Sequence, residues 1–268
     1  MIITSTSNPR VKRLVNLKKK RRMRDEEQVF LTEGIRMFRE VPLNSLKEVY
    51  VSEAFHKKEQ KGINEILKES KIRPEILADH VFAYVSDTKS PQGILCVVEQ
   101  PKQEYMGIPE EGLQGAPPFY ILLDNLQDPG NMGTIIRTAE GAGVTGIIMS
   151  KDCVDVYNPK VIRSTMGSIY RMPVWYVQDL KTSIRLIKDR GIRTYAAHLD
   201  GKVTYDRADY TGPCAFLIGN EGNGLRKEVA ELADEYIRIP MEGQVESLNA
   251  AIAATVLMFE AGRQRRNV

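Results

Sequence analysis

Apolar and polar positions alternate along the first hundred residues in short blocks that predict a small α/β domain. Apolar runs typical of strands occur at residues 29–31, 49–51, 81–85 and 94–98. Between them lie patterns with helical spacing, such as residues 63–68. We therefore predict one domain over residues 1–100.

From residue 119 onward, the pattern predicts a mostly parallel sheet flanked by helices. Buried strands are predicted at residues 119–123, 146–149, 174–177, 193–197, 215–218 and 236–239. The clearest helix between them carries Met132, Ile135, Ile136 and Ala139 at positions i, i+3, i+4 and i+7, and a weaker one covers residues 180–188. Strand, helix, strand at this spacing is typical of an α/β fold with both sheet faces covered. This second domain would span residues 119–268.

Proline and glycine occupy seven of the eighteen positions 101–118, which predicts a linker between the two domains. The chain ends in a long predicted helix with three arginines near its C-terminus, where positive charge favours the helix dipole. Its apolar stripe is predicted to contain Leu248, Ala251, Ile252, Thr255, Val256 and Phe259.

Composition excludes several classes of protein. No apolar stretch is long enough to span a bilayer, and the first nine residues lack the apolar core of a signal peptide. The three cysteines are far apart, so we expect reduced, buried thiols in a cytoplasmic protein. The three histidines lie on separate segments, and we expect no metal site.

Positive charge is concentrated at the N-terminus. Residues 1–40 contain 11 Lys and Arg against 5 Asp and Glu, although the whole chain carries only +3. Residues 10–24 contain no acidic residue and also hold apolar residues, with Pro9 at a plausible first helical position, which predicts a folded basic helix. Such a surface neutralises phosphates, so we expect RNA contacts, a solvated helical face being the alternative. The predicted contacts are Arg10, Lys12, Arg13, Lys18, Lys19, Arg21 and Arg22.

Three polar loops follow predicted strands, at the position where parallel sheets bind ligands. The first runs from Asp124 to Gly133, and the second, Ile218 to Leu225, contains three glycines. The third follows residue 239 and reaches Ser247, a candidate N-cap for the last helix. The glycine spacing matches neither the dinucleotide fingerprint nor a P-loop. Each loop alone has a structural explanation as a turn, a flexible corner or a cap.

Together these loops resemble the three motifs of the SpoU branch of the SPOUT RNA methyltransferases, in the family's order. The first matches Asn125-x-x-Asp128-Pro129-x-Asn131-x-Gly133-x-x-x-Arg137-Thr138. The others match Ile218-Gly219-Asn220-Glu221-Gly222-x-Gly224, Ile239-Pro240-Met241 and Glu246-Ser247-Leu248-Asn249. The N-terminal part, with Thr4-Ser5-x-x-Asn8-Pro9 and Phe30-Leu31-x-Glu33-Gly34, resembles the ribosomal-protein-like substrate-binding domain often attached to this branch.

The resemblance implies methyl transfer from S-adenosylmethionine to a ribose 2′-hydroxyl of RNA, with ribosomal RNA of the 23S type favoured over tRNA. It also implies a deep trefoil knot and a homodimer formed through the C-terminal domain. Non-enzymatic RNA binding or ribosome assembly, tRNA methylation and base methylation are the alternatives.

The resemblance also assigns site residues. Arg137 takes the family's catalytic position. Because a guanidinium stays protonated at neutral pH, we expect Arg137 to act as an electrostatic clamp rather than as a base. Further catalytic or orienting candidates are Asn131, Glu221, Ser247 and Asn249. The implied cofactor-binding residues are Leu217, Ile218, Gly219, Asn220, Gly222, Ile239, Met241 and Leu248.

Overall fold

A computed structural model describes residues 2–101, 112 and 115–267 of the chain. Most of the predicted linker, namely residues 102–111, 113 and 114, lies outside the described residues. The helices among the described residues are α1 (Pro9–Lys19), α2 (Arg21–Glu27), α3 (Ile35–Glu40), α4 (Glu53–Leu67), α5 (Asp79–Val85), α6 (Pro129–Gly141), α7 (Pro159–Thr165), α8 (Leu180–Asp189), α9 (Lys227–Ala230) and α10 (Ala250–Arg265). The strands are β1 (Ile2–Ile3), β2 (Val29–Glu33), β3 (Leu46–Ser52), β4 (Glu75–Leu77), β5 (Ile94–Glu99), β6 (Phe119–Leu123), β7 (Gly146–Ser150), β8 (Val174–Val177), β9 (Arg193–Ala197), β10 (Val203–Thr204), β11 (Cys214–Ile218) and β12 (Glu235–Arg238).

The described residues divide into two compact units. The first holds the chain up to Pro101 together with Asp155–Tyr170, and the second holds the segment ending at Val154 and the chain from Arg171 onward. Residues 155–170 lie within the segment that the sequence assigns to the second domain. In the structure they form α7 and a short 3₁₀ helix of the first unit.

The first unit contains a mixed five-stranded sheet in the order β1-β4-β3-β5-β2. Strand β5 runs antiparallel to both β2 and β3, and the three strands at the other side pair in parallel. Helices α1 and α5 contribute Val11, Leu14, Leu17, Val81 and Phe82 to its core. Three of the four predicted apolar runs are strands of this sheet, and a small α/β unit is confirmed.

The fourth run, residues 81–85, is helical, so its prediction as a strand was wrong. Val81, Phe82 and Val85 are buried, whereas Tyr84 is 54% exposed, which is the spacing of one helical face. The run is too short for its apolar residues to distinguish one helical face from a buried strand.

The basic N-terminal segment begins a helix at Pro9, as predicted. The Asn8 side chain caps α1 by accepting from the Arg10 N–H at 2.9 Å. Lys20 then takes an extended conformation, with φ −119° and ψ 112°, so the segment forms two helices instead of one. Leu14 and Leu17 of α1 are buried, which makes the segment part of the fold.

The second unit contains a seven-stranded sheet in the order β10-β12-β9-β11-β6-β7-β8. All of its described pairs are parallel. The two central strands β6 and β11 are buried over their full length, which is the pattern of parallel strands covered on both faces. The predicted α/β fold with a mostly parallel sheet is confirmed.

Helix α10 buries a different face from the predicted one. Its buried residues are Ala251, Ala254, Leu257, Met258 and Ala261. Ile252 and Phe259 of the predicted stripe are 49% and 47% exposed. Helix α10 packs against α6, and three of its five buried residues are alanines, whose small side chains suit a close helix contact.

All three cysteines are free and buried, as expected. Burial raises the pKa of Cys96 and of Cys214 to about 12, so both stay protonated thiols at neutral pH. None of the helices in the described part of the chain has the length and apolar character to cross a membrane.

Candidate active site

The three motif loops leave the parallel sheet of the second unit at one edge. Strand β11 pairs in parallel with β6 and with β9, and β9 pairs in parallel with β12. The carboxyl ends of these strands therefore face the same side, where open α/β sheets bind ligands. The loops after β6, β11 and β12 are those that carry the three motifs.

An ion pair between a buried carboxylate and a partly exposed guanidinium joins the first two loops at their roots. The Asp124 side chain is fully buried and accepts from the Arg226 backbone N–H at 3.0 Å and from Arg226 Nε at 2.8 Å. The hydrogen bonds with Asp124 raise the pKa of Arg226, although partial burial opposes this. The Asp124 N–H donates to the Ile218 carbonyl at 2.9 Å. Arg226 was not predicted, because it lies one residue beyond the second motif loop and outside the motif spacing.

Glu221, at the tip of the second loop, holds the backbone of the first. Its carboxylate accepts from the Gln127 N–H at 3.1 Å, from the Asp128 N–H at 2.9 Å and from the Asn131 side-chain amide at 3.1 Å. Partial burial alone would raise the pKa of Glu221, but these hydrogen bonds outweigh it and lower the pKa below its ordinary value. Glu221 is therefore a carboxylate at neutral pH.

The third motif joins the same network through Asn249. Its Nδ2 donates to Asn131 Oδ1 at 3.0 Å, while its own Oδ1 accepts from the Ala251 and Ile252 N–H groups at the start of α10. Because the Glu221 carboxylate can only accept, Asn131 must present its amide nitrogen to Glu221 and its oxygen to Asn249. The Glu221 carboxylate at one end and the backbone N–H groups of α10 at the other therefore favour the same orientation of both amides.

Asn249 is the N-cap of α10, which corrects the prediction of Ser247 for that role. Ser247 is exposed and lies two residues before the cap, too early for its hydroxyl to serve the first turn. The sequence contained the correct signal, since Asn is as strong an N-cap as Ser.

The second loop is closed by its own polar contacts. Asn220 and Gly224 exchange backbone hydrogen bonds of 2.9 Å, and the Asn220 side chain donates to the Asn125 carbonyl and accepts from the Gly222 N–H. A Cβ at Gly219 would lie 2.1 Å from the Gly224 carbonyl carbon, so Gly219 permits this closure. Gly219 is therefore required by the backbone of its own loop and not by the close approach of a ligand. Gly222 has open space beside it, with only the Asn220 side chain within 4 Å.

The remaining predicted cofactor residues differ in exposure. Leu217 and Ile218 are buried in β11, so their side chains face the core. Ile239, Met241 and Leu248 are half-buried and offer apolar surface on the third loop. Leu199, which was not predicted, follows β9 at the same edge and is 64% exposed.

Arg137 lies on α6, two turns after the helix begins at Pro129. Its side chain is exposed, and within the described part of the chain it has no hydrogen-bond or ion-pair partner. The structure therefore connects Asn131, Glu221 and Asn249 to one another but leaves Arg137 outside that network, with its guanidinium donors free.

Of the seven predicted RNA-contacting residues of the first unit, five have partners within the described part of the chain and two do not. The four arginines have acidic partners: Arg10 pairs with Glu75, Arg13 with Glu27 and Glu48, Arg21 with Asp25, and Arg22 with Glu26. Lys18 donates to the Ser86 carbonyl at 2.9 Å, and its partial burial lowers its pKa. Lys12 and Lys19 are exposed and have no ion-pair partner among the residues described, and neighbouring Lys20 is the same.

Comparisons with known proteins match both units. Residues 118–259 match the SpoU rRNA Methylase family, and residues 8–96 match the MRM3-like substrate binding domain. The chain is 32% identical to the 23S rRNA (guanosine(2553)-2′-O)-methyltransferase RlmP of Bacillus subtilis, over 96% of this chain and 97% of that protein. It is 31% identical to the mouse (Mus musculus) mitochondrial rRNA methyltransferase 3, over 96% of this chain and 72% of that one.

Solved structures agree along the whole length. The AdoMet-bound rRNA methyltransferase of Sinorhizobium meliloti superposes with a TM-score of 0.85 at 31% identity, covering 98% of this chain and 97% of that one. The SpoU methyltransferase AviRb of Streptomyces viridochromogenes, in complex with AdoMet, superposes with a TM-score of 0.84 at 29% identity, covering 97% and 98%. With its three motif loops joined at one edge of a parallel sheet and its sequence matched over both units, the chain belongs to the SpoU rRNA methylase family.

Proposed function

We propose that this protein transfers a methyl group from S-adenosylmethionine to a ribose 2′-hydroxyl of ribosomal RNA of the 23S type. The observation that carries the proposal is the hydrogen-bonded chain from Glu221 through Asn131 to Asn249, which joins three separate motifs at one edge of the sheet. A merely structural turn would not require charged and amide side chains from three loops. The names of the relatives favour ribosomal RNA as the substrate.

The edge of the sheet suits S-adenosylmethionine. The adenine of S-adenosylmethionine is a flat aromatic ring, and the half-buried Ile239, Met241 and Leu248 offer apolar surface that would cover its faces. Gly222 leaves room for close approach to the backbone of the second loop. When bound, this cofactor supplies an electrophilic methyl group on a sulfonium.

Arg137 would act on the RNA. It is exposed, and the planar fork of a guanidinium matches a phosphate in bidentate fashion. We assign it the role of clamping the phosphate next to the target ribose and stabilising negative charge that develops on the 2′-oxygen. A base role would require a neutral guanidinium, which is scarce in proteins.

Asn131, Glu221 and Asn249 are positioning residues in this proposal. Both polar atoms of the Asn131 side chain are engaged, one with Glu221 and one with Asn249. It would therefore hold the first loop and the start of α6 in place rather than bind the ribose directly. In-line methyl transfer depends on alignment of oxygen, methyl carbon and sulfur, so such positioning contributes directly to the rate.

RNA would be bound by the exposed lysines of the first unit. Lys12, Lys19 and Lys20 are the cations of the basic segment that are free to neutralise phosphates, whereas the arginines are compensated by carboxylates. Three such contacts give affinity that depends on salt and little on sequence.

We further propose a homodimer formed through α10. Ile252 and Phe259 are half exposed along one face of this helix, and Val245 just before it is 63% exposed. A second copy of the same face would cover these side chains in a two-fold contact. The proposal also includes the trefoil knot that the family implies and a cytoplasmic location, which suits three reduced thiols.

The deciding experiment incubates the protein with methyl-labelled S-adenosylmethionine and total bacterial RNA, then maps the labelled nucleotide. We expect label in large-subunit ribosomal RNA and resistance of the adjacent phosphodiester to alkali, because only a blocked 2′-hydroxyl protects it. Cleavage by alkali next to the labelled nucleotide would indicate base methylation, and label confined to tRNA would identify tRNA as the substrate. Absence of both label and cofactor binding by calorimetry would leave a non-enzymatic RNA-binding protein.

A further inference from the structure

One short segment of the chain belongs to both compact units. Residues 150–154, which begin at the last residue of β7, lie in the second unit, and from Asp155 to Tyr170 the chain lies in the first. The two halves of this segment are joined by an ordinary peptide bond between Val154 and Asp155.

In the second unit, the segment holds the start of the first motif loop. Ser150 Oγ accepts from the Asn125 N–H at 3.0 Å, and Cys153 Sγ accepts from the Leu126 N–H at 3.3 Å. The Val154 N–H donates to the Leu126 carbonyl at 2.8 Å. These contacts set the backbone just before Gln127 and Asp128, whose N–H groups Glu221 accepts.

In the first unit, the next residue enters a buried ion pair. Asp155 pairs with Arg24, and their side chains are only 12% and 4% exposed. The same guanidinium donates to the Leu17 carbonyl and, at 3.2 Å, to the Lys18 carbonyl in the last turn of α1. Arg24 therefore fixes the end of the helix that presents Lys19.

The rest of the segment is anchored beside this pair. The ring of Tyr157 stacks on Phe30 at a centroid distance of 4.9 Å, and α7 packs on β2 with Val161 and Ile162 buried. Such an anchor does not slide freely, because its buried charge and packed rings have one good arrangement.

We infer that the Arg24–Asp155 pair is a positioning device that couples RNA bound at the lysines of α1 to the order of the first motif loop. The inference rests on the proposed function for the identity of the two ligands. The coupling runs from the end of α1 through Arg24, Asp155 and Val154 to Leu126, every step being a hydrogen bond or a covalent bond within one unit or along the chain. RNA that stabilises this end of α1 would favour the conformation of residues 125–128 that Glu221 captures.

The test measures coupling instead of activity alone. Hydrogen exchange of the peptide covering residues 124–133 is followed in the full chain with and without a 23S ribosomal RNA transcript. In parallel, calorimetry gives the affinity for S-adenosylhomocysteine, which cannot react, with and without the same RNA. We expect RNA to slow the exchange and to tighten cofactor binding at least about fivefold.

The variant Asp155→Asn keeps the shape of the side chain and removes its charge. We expect it to bind the transcript within about threefold of the wild type, since the lysines are untouched, while the RNA effect on exchange and on cofactor affinity falls to near one. Should this variant fail to fold, Arg24→Gln breaks the same ion pair from its other partner and is expected to lose the effect as well. The matched control is Arg163→Gln on α7. Arg163 pairs with Asp87 at 3.0 Å, and both side chains are about half exposed.

Three results would overturn the inference: no effect of RNA on the loop in the wild type, an undiminished effect in Asp155→Asn, or an equal loss in Arg163→Gln. Failure of the wild type to bind S-adenosylhomocysteine would count against the proposed function instead. The exchange measurement needs no cofactor and decides the coupling by itself.

Discussion

Glu221→Gln is the most informative single change, because it removes charge from the carboxylate that organises the site and little else. In the wild type, Oε1 accepts from the Asp128 N–H and the Asn131 amide, and Oε2 accepts from the Gln127 N–H. A glutamine has one acceptor oxygen, so it can keep the first two contacts but not the third. Its amide nitrogen would then face the Gln127 N–H, donor against donor.

The expected magnitude follows from the hydrogen bonds and their exposure. Bonds to a charged group contribute about 1.5–3 kcal/mol each when sheltered, and less where water competes, as it does at this exposed residue. One lost bond and the weakening of two others amount to about 1.4 kcal/mol, which corresponds to about a tenfold change. Glu221→Ala, which removes all three, would cost about 3 kcal/mol and slow methyl transfer about 100-fold.

Single-turnover methyl transfer and hydrogen exchange of residues 124–133 measure these effects together. We expect Glu221→Gln to lower the rate about tenfold, to speed exchange at Gln127 and Asp128, and to leave RNA affinity unchanged. Glu228→Gln is the matched control, since Glu228 is an exposed glutamate on nearby α9 that does not bind the loop. If Glu221→Gln turned over at the wild-type rate with unchanged exchange, the carboxylate would have no organising role.

The pH dependence supplies a second test of the same group. The pKa of Glu221 is lowered in the folded protein, so its stabilising effect is fully present above the unfolded pKa of about 4.3. That effect is lost as pH falls through the folded pKa. Urea unfolding at pH 7 should therefore separate wild type from Glu221→Gln, and the difference in unfolding free energy should shrink below about pH 4. A difference that stayed constant down to pH 3 would contradict the assignment.

Three further changes test the remaining assignments. Arg137→Lys keeps the charge and loses the bidentate fork, so we expect methyl transfer to fall about 10- to 100-fold with unchanged affinity for S-adenosylhomocysteine, and near-complete activity would refute the clamp. Replacing Lys12, Lys19 and Lys20 with glutamine should weaken RNA binding and reduce the magnitude of the slope of log affinity against log salt concentration by about two. Filter binding across a salt series measures this slope, and an unchanged slope would show that RNA binds elsewhere. Phe259→Glu on the exposed face of α10 should convert a dimer to a monomer in light scattering, and a wild-type protein that is already monomeric at micromolar concentration would exclude that interface.

The central strands β6, β7 and β11 could be predicted from sequence because they are buried on both faces. Strand β6, Phe119–Leu123, contains five consecutive buried residues, so its apolar run has clear ends. Helix α6 was equally clear, since Met132, Ile135, Ile136 and Ala139 are all buried at helical spacing. Helix α10 buries one face only. Its sequence contains two apolar stripes, and the spacing of apolar residues does not indicate which of them packs against the core.

The fate of the charges was harder to foresee. Nine cations in residues 10–24 look alike in sequence, yet Arg24 is 3% exposed and pairs with Asp155, 131 residues later in the chain. Its partner, like the Glu48 and Glu75 that compensate Arg13 and Arg10, comes from elements whose position depends on the whole fold. Local composition predicts a basic surface, but only tertiary contacts decide which of its cations are available to RNA.

The site itself was predictable in its parts and not in its connections. Motif spacing singled out Asn131, Glu221 and Asn249 separately, but nothing local indicates that they form one hydrogen-bonded chain. The second and third loops are exposed at residues 221–224 and 242–247, so apolar burial contributes little to the order of these two loops. Charge-assisted hydrogen bonds must supply this order instead. The Glu221 carboxylate can only accept, so it favours one orientation of the Asn131 amide and, through Asn131, one orientation of the Asn249 amide. The substitution Asn131→Asp would test that point directly. It places a second carboxylate against Glu221 and removes the amide that donates to Glu221. We therefore expect it to disorder the loop more than Asn131→Ala does.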